Sequence, residues 1–522
     1  MKGSWCLSLL CTLQLFSGTL PAADAPATGM TEIRGLWVDA FHAGIRSKQE
    51  ADQLISDAVG NNFNTLFLQV RRRGDSLYSK SLEPMLEDPA REPDFDPLGY
   101  TVDAAHQAGL EVHAWINAMA LWRDEPPPHD SGHVFNRHGP TASGTDNWLT
   151  YLWSGSAKFP VGYFLDPGHP AVTDHLVRVY LSVVSNYGVD GIHFDYIRYP
   201  ETEERLPKGS PVGYNPVSLE RFARFSGRQE KPDPGDEEWM DWRREQLTQL
   251  VRRIYIEAKA INPRIKVSAS TIAWGQPPRS SSKFLETSAG RLVYQDWHSW
   301  MKEGILDLAV PMNYARETNP TVKEWFDGWI LFEKRHKYGR HLAVGIGAYL
   351  NSNDSILDQL ARVRRIDGKH RVEGVSFFSY ANPSAIARSE PGAEVPTPPP
   401  SGSDRLTYLA RGTSKQGPAF PERVPSPPMP WIDRPAHGWV AGMAIGPDSR
   451  EIDGARIEMR KSGWWPFRKT YRTRTDGNGW FGFASLKPGR YEVRLLGPGA
   501  TRQKQKAEVT AGRVSRVEFR EQ

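Results

Sequence analysis

Eight short apolar runs, separated by helical stretches or long polar insertions, constrain this chain more than any other feature. They lie at 35–39, 65–70, 111–116, 191–195, 266–271, 306–312, 342–346 and 375–379, and most are near-continuous in apolar residues. Strands buried on both faces have that composition. Amphipathic stretches fall between them at 48–59, 97–108, 171–185, 238–260, 321–337 and 352–365. Regular strand–helix alternation predicts a parallel sheet with crossover helices, so the fold class is α/β, and eight units predict closure into a (β/α)8 barrel of the TIM type. The barrel would occupy 32–383, longer than the ~250 residues typical of that fold. Its surplus length is expected in the strand-end loops at 121–160 and 201–236, both rich in Pro, Gly and charge.

Past 383 the composition changes. Pro396-Thr397-Pro398-Pro399-Pro400 and Pro425-Ser426-Pro427-Pro428 mark 384–436 as a linker or an extended wrap along the barrel surface. From His437 to Gln522 short strands alternate with Gly turns, which predicts a small antiparallel all-β sandwich acting as an accessory domain. This segment holds 17 Lys and Arg against 9 Asp and Glu, a surplus of 8, and leaves the rest of the chain at −4 within a net charge of +4. A basic module can hold an enzyme on an anionic cell envelope, or be an ordinary solvated surface; no basic run is dense enough for a nucleic-acid patch.

At the other end Lys2, the apolar run from Leu7 to Phe16 and the small residues through Ala25 have the layout of a secretory signal peptide over 1–25. A secreted or periplasmic product is expected, with no membrane span, because no later run approaches ~20 apolar residues. Both cysteines, Cys6 and Cys11, lie in that segment, so the processed chain would have no disulfide and no Cys-ligated metal.

In such a barrel the C-terminal strand ends face the substrate. The fourth run ends His193-Phe194-Asp195-Tyr196-Ile197-Arg198, with Pro200 stopping the ladder. Other strand ends offer Trp37 and Asp39; Gln69, Arg71, Arg73 and Asp75; His113 and Asn117; Asn313, Tyr314 and Glu317; Tyr380 and Asn382. Such a ring of amide, imidazole, carboxylate and guanidinium groups suits a ligand with many hydroxyls. No phosphate loop, His-Glu-x-x-His pair or Gly-x-Ser-x-Gly elbow is present, and no cofactor or metal is called for. Glycoside cleavage requires one carboxyl to protonate the leaving oxygen and another to attack or to activate water. Asp195 fits the second role. For the proton donor Glu317 comes first and Asp296 second, with Asp39, Asp75 and Asp166 also near the rim; each could instead brace a loop.

Ile33-Arg34-Gly35-Leu36-Trp37-Val38-Asp39, Gln69-Val70-Arg71, Arg73-Gly74-Asp75, Leu165-Asp166-Pro167-Gly168-His169-Pro170, Asp190 to Pro200 and Pro311-Met312-Asn313-Tyr314 resemble the motifs of the glycosyl hydrolase-like family 10. The resemblance implies a TIM-type barrel and glycosidase activity on an envelope or extracellular polysaccharide, with peptidoglycan glycan strands foremost. It also implies Asp195 as a catalytic carboxylate and Asp166 as a site residue. Asp190 to Pro200 is similar to the strand-four signature of chitinases too, but His193 and Ile197 stand where that pattern has acids. Thr475 to Phe483 and Leu486 to Val493 resemble carboxypeptidase regulatory-like sandwiches. The rival reading is a non-catalytic glycan-binding barrel.

Overall fold

The computed structural model describes residues 29–123, 126–203, 206, 208–381, 402–412, 417–462, 469–497 and 500–520. The expected signal segment, Asn382 and the run 396–400 lie outside the described residues.

Eight parallel strands close into a barrel: β1 (Ile33–Val38), β2 (Thr65–Arg71), β3 (Glu111–Asn117), β4 (Gly191–Asp195), β5 (Lys266–Thr271), β6 (Leu308–Pro311), β7 (His341–Gly347) and β8 (Gly374–Phe378), each paired with its neighbours in sequence and β8 returning to β1. The sixth strand is shorter than its apolar run because Leu306 and Asp307 precede the ladder. Alternation decides which residues go where. Trp37, Phe67, Trp115, Leu308, Val310 and Ala343 fill the barrel interior, while Leu36, Leu66, Leu68, Val112, Ala114, Ile192 and Phe194 pack outward against the helices.

The interior also carries a polar column. His193 Nδ1 lies 2.9 Å from Ser268 Oγ, and its Nε2 lies 3.0 Å from Trp37 Nε1 and 2.9 Å from Ser270 Oγ. His113 Nδ1 shares Ser268 Oγ at 3.0 Å. Burial keeps both rings neutral, pushing His193 down to about 3 and His113 well below its ordinary value. Gly191 makes room for this column, since a Cβ there would stand 2.4 Å from His113 Nδ1.

Residues 417–436 run along the N-terminal face of the barrel. Glu32 N donates to Pro425 O (3.1 Å), Asn62 Nδ2 to Phe420 O (2.8 Å) and Asn64 Nδ2 to Val424 O (3.0 Å). Met429 and Ile432 join Ile33 and Leu308 in the interior cluster, and Trp431 Nε1 donates to the buried carboxylate of Asp307 at 2.8 Å. This part of the Pro-rich stretch therefore caps the barrel floor.

The C-terminal strands are β9 (Gly438–Ile445), β10 (Arg456–Lys461), β11 (Thr470–Arg474), β12 (Trp480–Leu486), β13 (Gly489–Gly497), β14 (Ala500–Val509) and β15 (Val514–Arg520). They form a three-stranded sheet β12-β9-β15 and a four-stranded sheet β11-β10-β13-β14, around a core that includes Val440, Ile457, Met459, Phe481, Tyr491, Val493 and Phe519. The sandwich is not wholly antiparallel, because β9 and β15 pair in parallel. It docks on the barrel. Arg221 grips Asp453 through two contacts of 2.7 Å, Arg516 grips Glu257 through two of 2.6 Å, and Trp480 Nε1 donates to Glu257 at 2.8 Å. Trp439, Ala441 and Trp480 belong to the barrel's own apolar core.

Candidate active site

The last residue of β4 is Asp195, and the chain turns sharply after it: Tyr196 takes a left-handed φ of 46° and donates its N–H to Asp195 Oδ1 at 2.7 Å. Asp195 is 6% exposed. Burial pushes its carboxyl up to about 6, against the opposing pull of the Arg198 guanidinium, the Tyr196 N–H and Trp115. Arg198 is sandwiched between Tyr196 (4.5 Å to the ring centre) and Trp274 (4.9 Å). Its Nη1 reaches Glu201 Oε1 at 3.2 Å, and its buried Nε has no partner among the described residues.

Tyr314 follows the end of β6. Burial first, and then the Asp195 charge, push its hydroxyl far above the ordinary value, so the two groups are near enough to interact electrostatically. Its ring meets Trp37, Phe378 and Tyr349 at 6.4, 5.8 and 6.2 Å. Across β1 and β2, Phe41 is 46% exposed, with Arg72 and Arg73 each 5.0 Å from its ring. A buried carboxyl, an arginine and several aromatic faces thus meet at the C-terminal mouth.

Most of the expected polar ring is otherwise engaged. Arg71 is fully buried, holding Glu83 at 2.5 and 2.7 Å and the carbonyls of Asn117 and Ala118, while His175 Nε2 lies 2.8 Å from the same Glu83. Gln69 accepts from Ala40 N at 2.8 Å. Asp39 accepts from Phe41 N (3.0 Å) and Ser379 Oγ (2.7 Å) and lies 2.7 Å from His42 Nδ1, tying β1 to β8. Asp75 braces its own loop through Arg73 N (3.0 Å) and Arg72 Nη2 (3.2 Å). Asn117 accepts from Trp115 Nε1 (2.8 Å) and donates to Arg72 O (3.0 Å). Trp37, His113 and His193 lie in the barrel interior below the mouth. Asp166, also pushed up to about 6 by burial, accepts from Gly168 N and Ser218 Oγ at 2.8 Å and joins its own loop to the helix Pro216–Ser226. Asn313 turns outward to Glu333.

Both expected proton donors are engaged by other groups. Burial alone would raise Glu317, but hydrogen bonds from Arg362 (3.0 Å to Oε2), Gln359 (2.9 Å) and Lys323 (3.1 Å) outweigh it and hold the carboxyl below its usual range. A carboxylate so stabilised gives up no proton at neutral pH. Asp296 accepts from Ser299 N at 3.1 Å and caps the helix Trp297–Glu303. The residues brought together at the mouth are Asp195, Arg198 and Tyr314. Trp274, Tyr349 and Glu201 were missed by sequence reading, although the first two follow β5 and β7 closely enough to have signalled a rim position.

A closed parallel barrel whose C-terminal mouth holds a buried carboxyl among aromatic rings defines a TIM-type barrel protein with a candidate site at its mouth. The chain belongs to the glycosyl hydrolase-like 10 family, whose sequence profile matches residues 32–329; residues 440–521 match the carboxypeptidase regulatory-like domain. It is 24% identical over 351 residues to the glycosyl hydrolase YngK of Bacillus subtilis (strain 168), covering 63% of each chain. It is 27% identical over 283 residues to the glycosyl hydrolase DigH of Escherichia coli (strain K12), covering 51% of this chain and 58% of that one. It therefore spans less than two thirds of either relative. Among solved structures, the glycoside hydrolase domain of PgaB (BpsB) from Bordetella bronchiseptica aligns at a TM-score of 0.48 and 14% identity over 69% of this chain and 96% of that one. No helix among the described residues is long and apolar enough to cross a membrane.

Proposed function

We propose that this protein hydrolyses O-glycosidic bonds of an envelope or extracellular polysaccharide, peptidoglycan glycan strands in the first place, with Asp195 as the proton-handling carboxyl. The observation that carries the reading is Asp195 itself, a carboxyl at the end of β4 pushed up to about 6 and facing the mouth. Such a group is protonated often enough to give a proton to a leaving glycosidic oxygen, and ionised often enough to take one back. The role reverses the one read from sequence, where Asp195 was the attacking or water-activating group. Glu201 is the partner carboxylate we assign to support attack on the anomeric carbon, because it shares Arg198 with Asp195. Sugar C–H faces would pack on Tyr314, Tyr349, Phe378 and Trp274. Export through the 1–25 segment belongs to the same proposal and brings the enzyme to such a substrate.

The basic surplus supports a docking role for the C-terminal domain. Strand register puts Arg456, Arg460, Arg472, Arg494, Lys504 and Lys506 on the outer face of the four-stranded sheet, with Glu458 and Glu492 between them. Most of these cations are exposed, so an anionic envelope polymer is the partner we assign to that face.

Incubation of the purified protein with peptide-free peptidoglycan and a panel of neutral and acidic polysaccharides tests the reading. New reducing ends that appear with wild type and vanish with Asp195→Asn, while glycan binding persists, are the expected result. Binding without new ends from the wild-type protein would establish the rival, a glycan-binding barrel.

A further inference from the structure

Asn313 leaves the mouth because its side chain is claimed from behind. Asn313 and Glu333, the latter on the helix Pro320–Arg335, are 3% and 1% exposed. Asn313 Nδ2 donates to Glu333 Oε2 at 3.2 Å. The other two oxygens, Asn313 Oδ1 and Glu333 Oε1, are buried with no hydrogen-bond partner among the described residues. Both are acceptors if the carboxyl is ionised, which leaves two unmet groups on either side of one hydrogen bond. A single proton on Glu333 supplies the donor that both oxygens lack.

We propose that Glu333 is a positioning residue that holds the end of β6 as a neutral carboxylic acid, joined to the Asn313 amide by two hydrogen bonds. The surroundings suit an uncharged pair. On the facing strand β7, Leu342, Val344 and Ile346 contribute apolar side chains to the core between strands and helices. Lys334, the neighbouring cation on the same helix, donates to Arg365 O at 2.5 Å. Arg362 of the helix Asn353–Arg364 is taken up by Glu317 and Asp327. Burial pushes the Glu333 carboxyl up to about 8, over the opposing pull of Asn313 and Lys334. The pair matters for the mouth because Asn313 N also donates to Pro311 O (3.0 Å) and Gly345 O (3.1 Å), and the next residue, Tyr314, is the ring within electrostatic reach of Asp195. Glu333 thus fixes the direction in which the chain leaves β6. None of this depends on the reaction proposed above.

Thermal melting of the full chain between pH 5 and 9.5 tests the pair without an activity assay. The carboxyl's folded value of about 8 lies above its ordinary 4.5. The stabilisation it contributes is therefore complete below about pH 4.5 and lost as pH rises through about 8. In Glu333→Gln the amide supplies one donor and one acceptor with no proton to lose. That variant should melt close to wild type at pH 5 and roughly 5 °C above it at pH 9. Glu333→Leu should melt lower than Glu333→Gln at every pH, and adding Asn313→Leu should recover most of that loss. Parallel pH profiles for wild type and Glu333→Gln would overturn the proposal, because Glu333 would then be ionised and paired by some other group. A Glu333→Gln protein that fails to fold while Glu333→Leu folds would overturn it equally.

Discussion

Asp195 and Glu83 are both buried acids, and their environments drive them in opposite directions. Against Asp195 stand only the Arg198 charge, the Tyr196 N–H and the Trp115 indole, and burial wins; Glu83 has Arg71 and His175 in contact, and its carboxyl is driven far below the usual range although burial opposes this. Asp195→Asn should lower kcat by ~10²–10⁴-fold if the group moves a proton in the transition state. The same variant should be more stable at neutral pH. Because the folded value of about 6 exceeds the ordinary 3.8, stability contributed by neutral Asp195 is complete below about 3.8 and lost as pH rises through 6. Asn escapes that loss, a gain of roughly 3 kcal/mol at pH 7.5, readable by denaturant titration. Glu83→Gln should instead cost ~3–5 kcal/mol, since it strands Arg71 without its counter-charge. A fall in cleavage with Asp195→Asn that is matched by a fall in melting temperature would make Asp195 a structural acid. Asp195 ends β4, Arg198 follows it and Tyr314 follows the end of β6, so the order of the strands alone brings these three to one rim. Arg71, His113 and Asn313 bond to Glu83, Ser268 and Glu333 instead, because a polar residue at a strand end can point to the mouth, the interior or a supporting helix, and the direction depends on partners far along the chain.

Among elements, the strands were legible because burial on both faces writes itself into continuous apolar runs. The segment 417–436 was not, since Pro-rich sequence reads alike whether it spans solvent or lies on a surface. Its anchor is Trp431, with Nε1 on Asp307 and its ring against Arg340 (4.9 Å) and His341 (4.9 Å). Trp431→Ala should lower barrel stability by about 2–3 kcal/mol, through lost packing and a donor removed from a buried carboxylate; unchanged unfolding in urea would mean the floor segment is passive. Gly191→Ala should be worse than its single methyl implies, because the added Cβ would sit 2.4 Å from the His113 ring and the interior column cannot shift without breaking its bonds to Ser268. A soluble, wild-type-like melt for that variant would contradict the tight packing of the column.

At the scale of the molecule, the C-terminal sandwich reads from sequence as an accessory domain, loosely attached. Its contacts argue otherwise: two bidentate ion pairs and Trp439 and Trp480 in the barrel core mean that deletion exposes apolar surface on the helix Glu237–Ile261. Removing 437–522 should lower the melting temperature of the barrel and promote aggregation, and Glu257→Ala should reproduce part of that effect by releasing Trp480 and Arg516 together. A truncated barrel that melts as the full chain does would restore the picture of a loosely attached module.

What the sequence determined by itself was what repeats along the chain: the number and order of the eight barrel strands, the closed barrel they imply, the basic character of the tail, and a carboxylate at the end of the fourth strand. These are local properties, set by periodicity and composition within a dozen residues. Further helices such as Pro216–Ser226, within a stretch that reads as a loop, came only with the structure. Tertiary structure alone decided which polar groups reach the mouth, that Glu317 and Asp296 are tied elsewhere, and that residues 417–436 close the barrel floor. Those outcomes depend on partners far apart in sequence, such as Trp37 with His193, Asp39 with Ser379 and Asp307 with Trp431, and on how much water burial removes from each charge.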